Sequence, residues 1–279
     1  MSTATCPIVG CRLSVDIVLK SSDGALVGSH KANLDSFGDA FPSTHQSPID
    51  MSEIESTLKI LMRFIHPGSH PDVSRLTSRE LFSLAYAAEK YKIRDAMTVC
   101  SRHIMGLVEK YPVRSLGYAV KCNYPKLANV AAPWTVFRDP TTMKKVLKEA
   151  RSLCAWLEYK LDFVGKYCQQ LSIPVEAYTG VADLSQCLAW EKYHSGVLAK
   201  FSAMVQGGPS PVHTEKHGDI FDVEIPVCSR WNCICKMAGG GRLQLEDVKR
   251  TWKGRVLDEM KKNQSIFTTS FLNTSDGTG

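Results

Sequence analysis

Strand-like alternation of apolar and polar residues is confined to the first 51 residues of this chain, and the periodic segments that follow are helical. That asymmetry limits the fold more than any single motif does. From Ser14 to Lys20, Val15, Ile17 and Leu19 alternate with Asp16, Val18 and Lys20, which puts three apolar side chains on one face of a strand. Ser21-Ser22-Asp23-Gly24 supplies a turn, with Gly24 able to take the positive φ that hairpin connections use, and Ala25 to Ser29 forms the return strand. His30 to Phe41 reads as a helical turn or two with Leu34, Phe37 and Phe41 toward one side. A third short strand is predicted at Pro48 to Met51.

Helical spacing then takes over. Leu58, Leu61, Met62 and Ile65 form a stripe that Pro67-Gly68 ends. Thr77 and Glu80 form a capping-box pattern ahead of Leu81, Leu84, Ala85, Ala88 and Tyr91. A further helix from about Asp95 carries Met97, Cys100, Ile104 and Leu107. A helix pair is predicted over 113–133 with Leu116, Tyr118, Ala119, Leu127, Ala128 and Ala131, followed by one long run from about Thr141 to Leu171 bearing Val146, Leu147, Leu153, Trp156, Leu157 and Leu161. Leu184 to Val205 is again helical, and the Gly-Pro-Ser stretch 207–211 reads as a linker. Residues 213–242 show little periodicity. A last helix over 245–262 places Leu245, Val248, Trp252, Val256 and Met260 on one face.

The chain has 279 residues and a formal net charge of +6, all of it in the second part: residues 1–112 carry 12 basic against 12 acidic side chains, and residues 113–279 carry 22 against 16. A surplus so dilute differs from the dense basic stripes of nucleic-acid binders, so nucleic acid is not the expected partner. No leader pattern opens the chain and no apolar run approaches 18 residues, so the expectation is a soluble intracellular protein, cytoplasmic and/or nuclear, with no membrane contact. The ten cysteines are mostly scattered through helix-like segments, where a reduced thiol acts as a small hydrophobe. Only Cys228, Cys233 and Cys235 read as a cluster.

The order of elements and several short motifs resemble the BTB/POZ domain. They stand here as Asp16-Ile17-Val18-Leu19, His30-Lys31 with Leu34, Phe41, Phe64-Ile65-His66-Pro67-Gly68, and Leu84-Ala85-Tyr86-Ala87-Ala88-Glu89-Lys90-Tyr91, with Cys100 where the family usually has a cysteine. The run Pro71 to Tyr91, and Leu116-Gly117-Tyr118-Ala119 after it, look most like the large fungal subset with a helical C-terminal region. The resemblance implies an α+β fold: an N-terminal β-hairpin and sheet covered by helices, then a mainly α-helical C-terminal region. It implies a non-catalytic protein-protein interaction module, an adaptor or regulatory scaffold with a protein partner and no cofactor. The interaction residues it implies are Asp16, His30 and Lys31. In homodimeric members the acidic and basic residues matching Asp16 and Lys31 line a groove between subunits; an ion pair that merely holds the fold is the alternative.

Departures from the family pattern bear on partners. Members that dimerise by exchange carry a helix ahead of the first strand, whereas 13 residues precede Ser14 here. Self-association through the domain stays open. A cullin-type ubiquitin-ligase scaffold is another partner the family admits, but its hydrophobic-x-Glu motif is not seen between Phe41 and the third strand. Gly38 stands where serine is usual, and His66 where tyrosine is usual.

The segmentation read from the sequence is a flexible tail (1–12), a BTB/POZ-like domain (13–112), a helical region (113–206), a Cys/His-containing segment with the final helix (207–273) and a flexible tail (274–279). In the fourth segment His213, His217, Cys228, Cys233 and Cys235 run as H-x3-H, then C-x4-C-x-C. Such residues suit tetrahedral zinc, which could stand in for a core where periodicity is weak; reduced structural cysteines are the alternative. A zinc-stabilised nucleic-acid-binding or transcription-regulatory factor using this region is therefore the second functional reading. A thiol enzyme would need a cleft holding a Cys and a His within hydrogen-bond reach, and no local catalytic signature surrounds any of the ten cysteines. The basic residues of the last helix, beside Trp252, could meet phosphate, but its apolar stripe argues first for packing.

Overall fold

Ile17–Lys20 forms β1 and Leu26–Ser29 forms β2, paired antiparallel with Leu19 opposite Val27. Gly24 takes φ +87° in the turn between them, as the hairpin requires. Ile49–Asp50 forms β3, which runs parallel to β1 and completes a three-stranded sheet in the order β2-β1-β3. Between β2 and β3 lies α1, Lys31–Phe37. Leu34 is buried from it, but Phe37, expected on the same inward side, is 43% exposed. The structure describes residues 4–37, 40–41, 48–175, 184–206, 220–230, 233, 235, 242–262 and 267.

This computed structural model is α+β: the small sheet near the N-terminus is followed by helices. The chain separates into two compact units, Met1–Val108 and Glu109–Gly279. In the first, α2 (Glu55–Ile65), α3 (Ser78–Tyr91) and α4 (Arg94–Gly106) pack on one another, with α2 against β2. The core gathers Leu19, Val27, Leu58, Leu61, Leu81, Leu84 and Ile104, all essentially inaccessible to solvent. Cys100 joins it as a hydrophobe, and burial pushes its thiol up to about 12. The hairpin turn also starts a helix: Ile54 gives α2 no side-chain cap, and the Asp23 carboxylate accepts from the Glu55 amide instead, at 3.0 Å. The capping box of α3 forms as its spacing predicts, with Thr77 Oγ1 accepting from Glu80 N–H and Glu80 Oε2 accepting from Thr77 N–H.

Lys90 and Tyr91, which end the A-A-E-K-Y run, hold a carboxylate. Tyr91 donates its phenol to Glu53 Oε2, and Lys90 Nζ donates to Glu53 Oε1 at 3.1 Å and Ser52 Oγ at 2.6 Å. Burial pushes the Glu53 carboxyl up, but the hydrogen bonds from Tyr91 and Lys90 outweigh it and hold the group below the ordinary glutamate value. A carboxyl depressed in the folded state contributes stability that is complete above its unfolded value, about 4.3, and is lost as pH falls through the folded value. Glu53→Gln is therefore expected to unfold at lower urea than the parent at pH 7, with the gap closing as the pH is lowered below about 4. Urea titrations followed by circular dichroism across that range measure it; a gap independent of pH would remove the carboxylate from the explanation.

In the second unit, α5 (Pro112–Lys121) and α6 (Pro125–Ala131) form the predicted pair, burying Leu116, Tyr118, Ala119, Leu127, Ala128 and Ala131. The long run expected over 141–171 is instead two helices, α7 (Pro140–Val146) and α8 (Ala150–Ser172). No proline or glycine causes the break. Leu147 leaves helical geometry at φ −94°, ψ 76° while its amide still donates to the Met143 carbonyl, and its side chain is buried. The inward face of α8 keeps Trp156, as expected, but is otherwise aromatic where leucines were expected: Tyr159, Phe163 and Tyr167 are buried, and Leu161 is 71% exposed. Aromatic rings remove more apolar area from water than leucines, so they decide which face turns inward. After α9 (Leu188–Val205), α10 (Arg242–Lys262) packs on α8 and buries the expected stripe of Leu245, Val248, Trp252, Val256 and Met260.

Candidate metal centre and interaction residues

Asp16 and Lys31 meet, but not as two opposite charges. The carboxylate Oδ1 of Asp16 accepts the backbone N–H of Lys31 at 2.7 Å, so it caps the start of α1 and leaves the Lys31 side chain in solvent. His30, expected to serve an interaction, is not at the surface. It is 4% exposed, with Nδ1 2.9 Å from the Ser14 carbonyl and Nε2 3.2 Å from Cys11 Sγ. A ring enclosed in this way has no face to offer a partner.

The strongest chemical constellation in the second unit is built from Cys187, Cys228, Cys233 and Cys235. All four are buried, and their sulfur atoms lie within 4.8 Å of one another. Cys187 stands at the N-cap of α9 in extended geometry. α9 begins at Leu188, four residues after the start read from the sequence, and the sulfur of its cap residue belongs to the cluster. Across from it, Arg230 Nη1 donates to the Gln186 carbonyl at 2.8 Å, tying the loop that carries Cys228 to the residue before Cys187.

Four thiolates around Zn2+ at about 2.3 Å form a tetrahedron with sulfur-sulfur edges of about 3.8 Å, which these sulfurs reach by shifts of about 1 Å or less. Burial works to raise the Cys228 thiol. The backbone amides of Arg230 and Ala189 and the neighbouring Cys233 outweigh it and bring the group down to about 7. Burial raises Cys187 and Cys235 instead. Peptide N–H groups aimed at a ligand sulfur are the outer support that thiolate metal sites use. An all-sulfur tetrahedral set with its remaining faces in protein selects zinc, or iron, over the hard cations, and gives a centre that holds structure rather than one open to substrate.

The expected zinc set is therefore revised. Cys228, Cys233 and Cys235 come together as expected; Cys187, read as an isolated helix cysteine, supplies the fourth sulfur. His213 and His217 lie outside the described residues. No local signal marks Cys187, which falls inside the helix read over Leu184 to Val205 and stands 41 positions before Cys228.

No protein-family model matches the chain, and no curated protein is significantly similar to it. No helix among the described residues is long and apolar enough to cross a membrane. A cleft of about 230 Å³ in the second unit is lined by residues including Ser172, Glu191, His194 and Trp252. Ser172 Oγ donates to the Cys168 carbonyl and His194 Nε2 to the Leu171 carbonyl, so hydroxyl and imidazole are each committed to backbone. Several basic side chains of α10 have partners within the protein. Arg250, Lys261 and Lys262 pair with Asp247, Asp258 and Glu259, and Lys249 donates to the Val223 carbonyl at 3.0 Å.

Proposed function

We propose that the chain is a non-catalytic protein-interaction module of the BTB/POZ type, an adaptor or regulatory scaffold, with a C-terminal unit held together by structural zinc at Cys187, Cys228, Cys233 and Cys235. The observation that carries the interaction reading is the order of elements in the first unit: a hairpin, a short helix opened by Lys31, a third strand and then α2 to α4, with the quoted motif residues at the joints. Leu34 is buried while Phe37, three residues on, is left 43% exposed on the helix that the solvated Lys31 opens. An aromatic ring and a cation on one exposed helix are the residue types that anchor and orient a protein partner. The nucleic-acid reading draws support from the sulfur cluster but less from α10, where Lys249, Arg250, Lys253, Lys261 and Lys262 each have a partner within the protein.

The test compares the full chain with a Lys31→Glu, Phe37→Asp double variant in affinity purification followed by mass spectrometry. Both altered side chains are exposed, so thermal unfolding should be within about 1 kcal/mol of the parent. Loss of the captured proteins from a variant that still folds supports the proposal. Capture of the same set at the same level would move the interaction elsewhere on the chain.

A further inference from the structure

A second group of metal-ligand side chains lies in the first unit, independent of the interaction reading. Cys6, Cys11, His30 and His66 bring one ligand atom each to a common point, all within 4.8 Å of one another. The sequence presents Cys6 and Cys11 as scattered thiols, His30 as an interaction residue and His66 as a replacement for tyrosine. The fold makes them neighbours.

Each part of the chain is shaped to deliver its ligand. Cys6 and Cys11 flank a tight turn in which Gly10 takes φ +78° and the Cys11 amide donates to the Ile8 carbonyl at 3.2 Å. This C-x4-C loop is held against the sheet: the Gly28 amide in β2 donates to the Thr5 carbonyl at 3.0 Å. A Cβ at Gly28 would come within 2.8 Å of the Thr5 backbone, so residues read as a flexible tail sit in van der Waals contact with a strand. His30 is fixed between β2 and α1, and His66 at the C-cap of α2. Their rings meet edge to face with centroids 5.7 Å apart.

The protons argue for a cation. A carbonyl oxygen can only accept, so the His30 Nδ1 facing the Ser14 carbonyl at 2.9 Å and the His66 Nδ1 facing the Pro67 carbonyl at 3.2 Å each carry the hydrogen. In the neutral rings both Nε2 atoms then present lone pairs, and both face Cys11 Sγ, at 3.2 and 3.1 Å. A thiol has one hydrogen and can satisfy one of them. A divalent cation satisfies both together with the two sulfurs, and the Nδ1–H to carbonyl bonds are the outer contacts that orient metal-bound imidazoles. A catalytic thiol would need one base; two imidazoles and a second thiol on the same point are more than that chemistry uses.

We propose that Cys6, Cys11, His30 and His66 form a structural zinc site of two sulfurs and two nitrogens, which fastens the N-terminal segment to the sheet and to the end of α2. On binding, each cysteine releases its proton to solvent and four Zn–ligand bonds form, with no change of oxidation state. The full chain would then carry two zinc ions, one in each unit.

The wild-type full chain, purified without chelator, is assayed for zinc by mass spectrometry and by X-ray absorption. Two equivalents with an average shell of about three sulfurs to one imidazole nitrogen support the proposal. One equivalent in an all-sulfur shell overturns it, as does a Cys6–Cys11 disulfide in a non-reduced peptide map. His66→Asn, at a partly exposed helix end, should lower the content from two equivalents to one while circular dichroism is retained; unchanged zinc overturns the site. Chelation should also speed tryptic cleavage after Arg12 several-fold. Rapid alkylation of Cys11 in zinc-replete protein would instead mark a reactive thiol and count against the proposal.

Discussion

Replacing Cys233 by serine is expected to abolish zinc binding at the proposed four-sulfur site and to cost the C-terminal unit at least about 4 kcal/mol, the stabilisation a ligand confers at about a thousand times its Kd. The sulfur is one of four that meet within 4.8 Å, and they come from two places, the N-cap of α9 and the segment carrying Cys228 to Cys235. A metal bound there would close a loop that spans Cys187 to Cys235. Serine keeps the size but not the soft donor, and the three remaining thiols would be left buried around an incomplete shell. Zinc content and thermal unfolding of the full chain measure the effect. A chelator should lower the melting temperature of the parent by more than that of Cys233→Ser, which keeps the site proposed for the first unit. Equal sensitivity of both proteins to the chelator would place the stabilising metal elsewhere.

Trp252→Ala is expected to destabilise the second unit by about 3–5 kcal/mol, the range for deleting a large buried aromatic. Trp252 is 1% exposed. Its indole meets Trp190, Tyr193, His194 and Phe221 in edge-to-face geometry, at centroid separations of 5.6, 6.2, 5.4 and 5.3 Å. Those partners come from α9 and from the segment at Phe221, so one side chain of α10 joins three stretches of chain. Aromatic pairs in such geometry add about 0.5–1.5 kcal/mol each beyond area burial. Leu161→Ala is the control, since that leucine faces solvent and should change stability by no more than about 0.5 kcal/mol. Urea denaturation followed by tryptophan-independent circular dichroism gives both numbers. Comparable losses at the two positions would mean that α10 is not packed as described.

Local chemistry made much of the architecture readable. The hairpin follows from alternation plus a glycine that accepts positive φ, the start of α3 from a hydroxyl and a carboxylate three residues apart, and the buried stripe of α10 from helical spacing. The break at Leu147 left no such mark, because no helix-breaking residue stands there; the chain leaves helical geometry at a buried leucine. The inward face of α8 is only partly legible for a related reason: Trp156 is buried as its spacing predicts, but leucines and aromatic rings both recur at helical spacing, and only competition for the core selects between them.

The strands, the main helix stripes and three of the four C-terminal sulfurs belong to what the order of residues specifies, since each depends on neighbours a few positions apart. Which thiols and imidazoles converge does not. Cys187 finds Cys228 across 41 residues, and Cys11 finds His66 across 55. Closing such loops costs entropy that grows only with the logarithm of their length, so spacing along the chain carries almost no trace of which distant ends will be joined. Packing of the surrounding elements selects those partners, and both candidate zinc sites exist only once the helices and the sheet are in place.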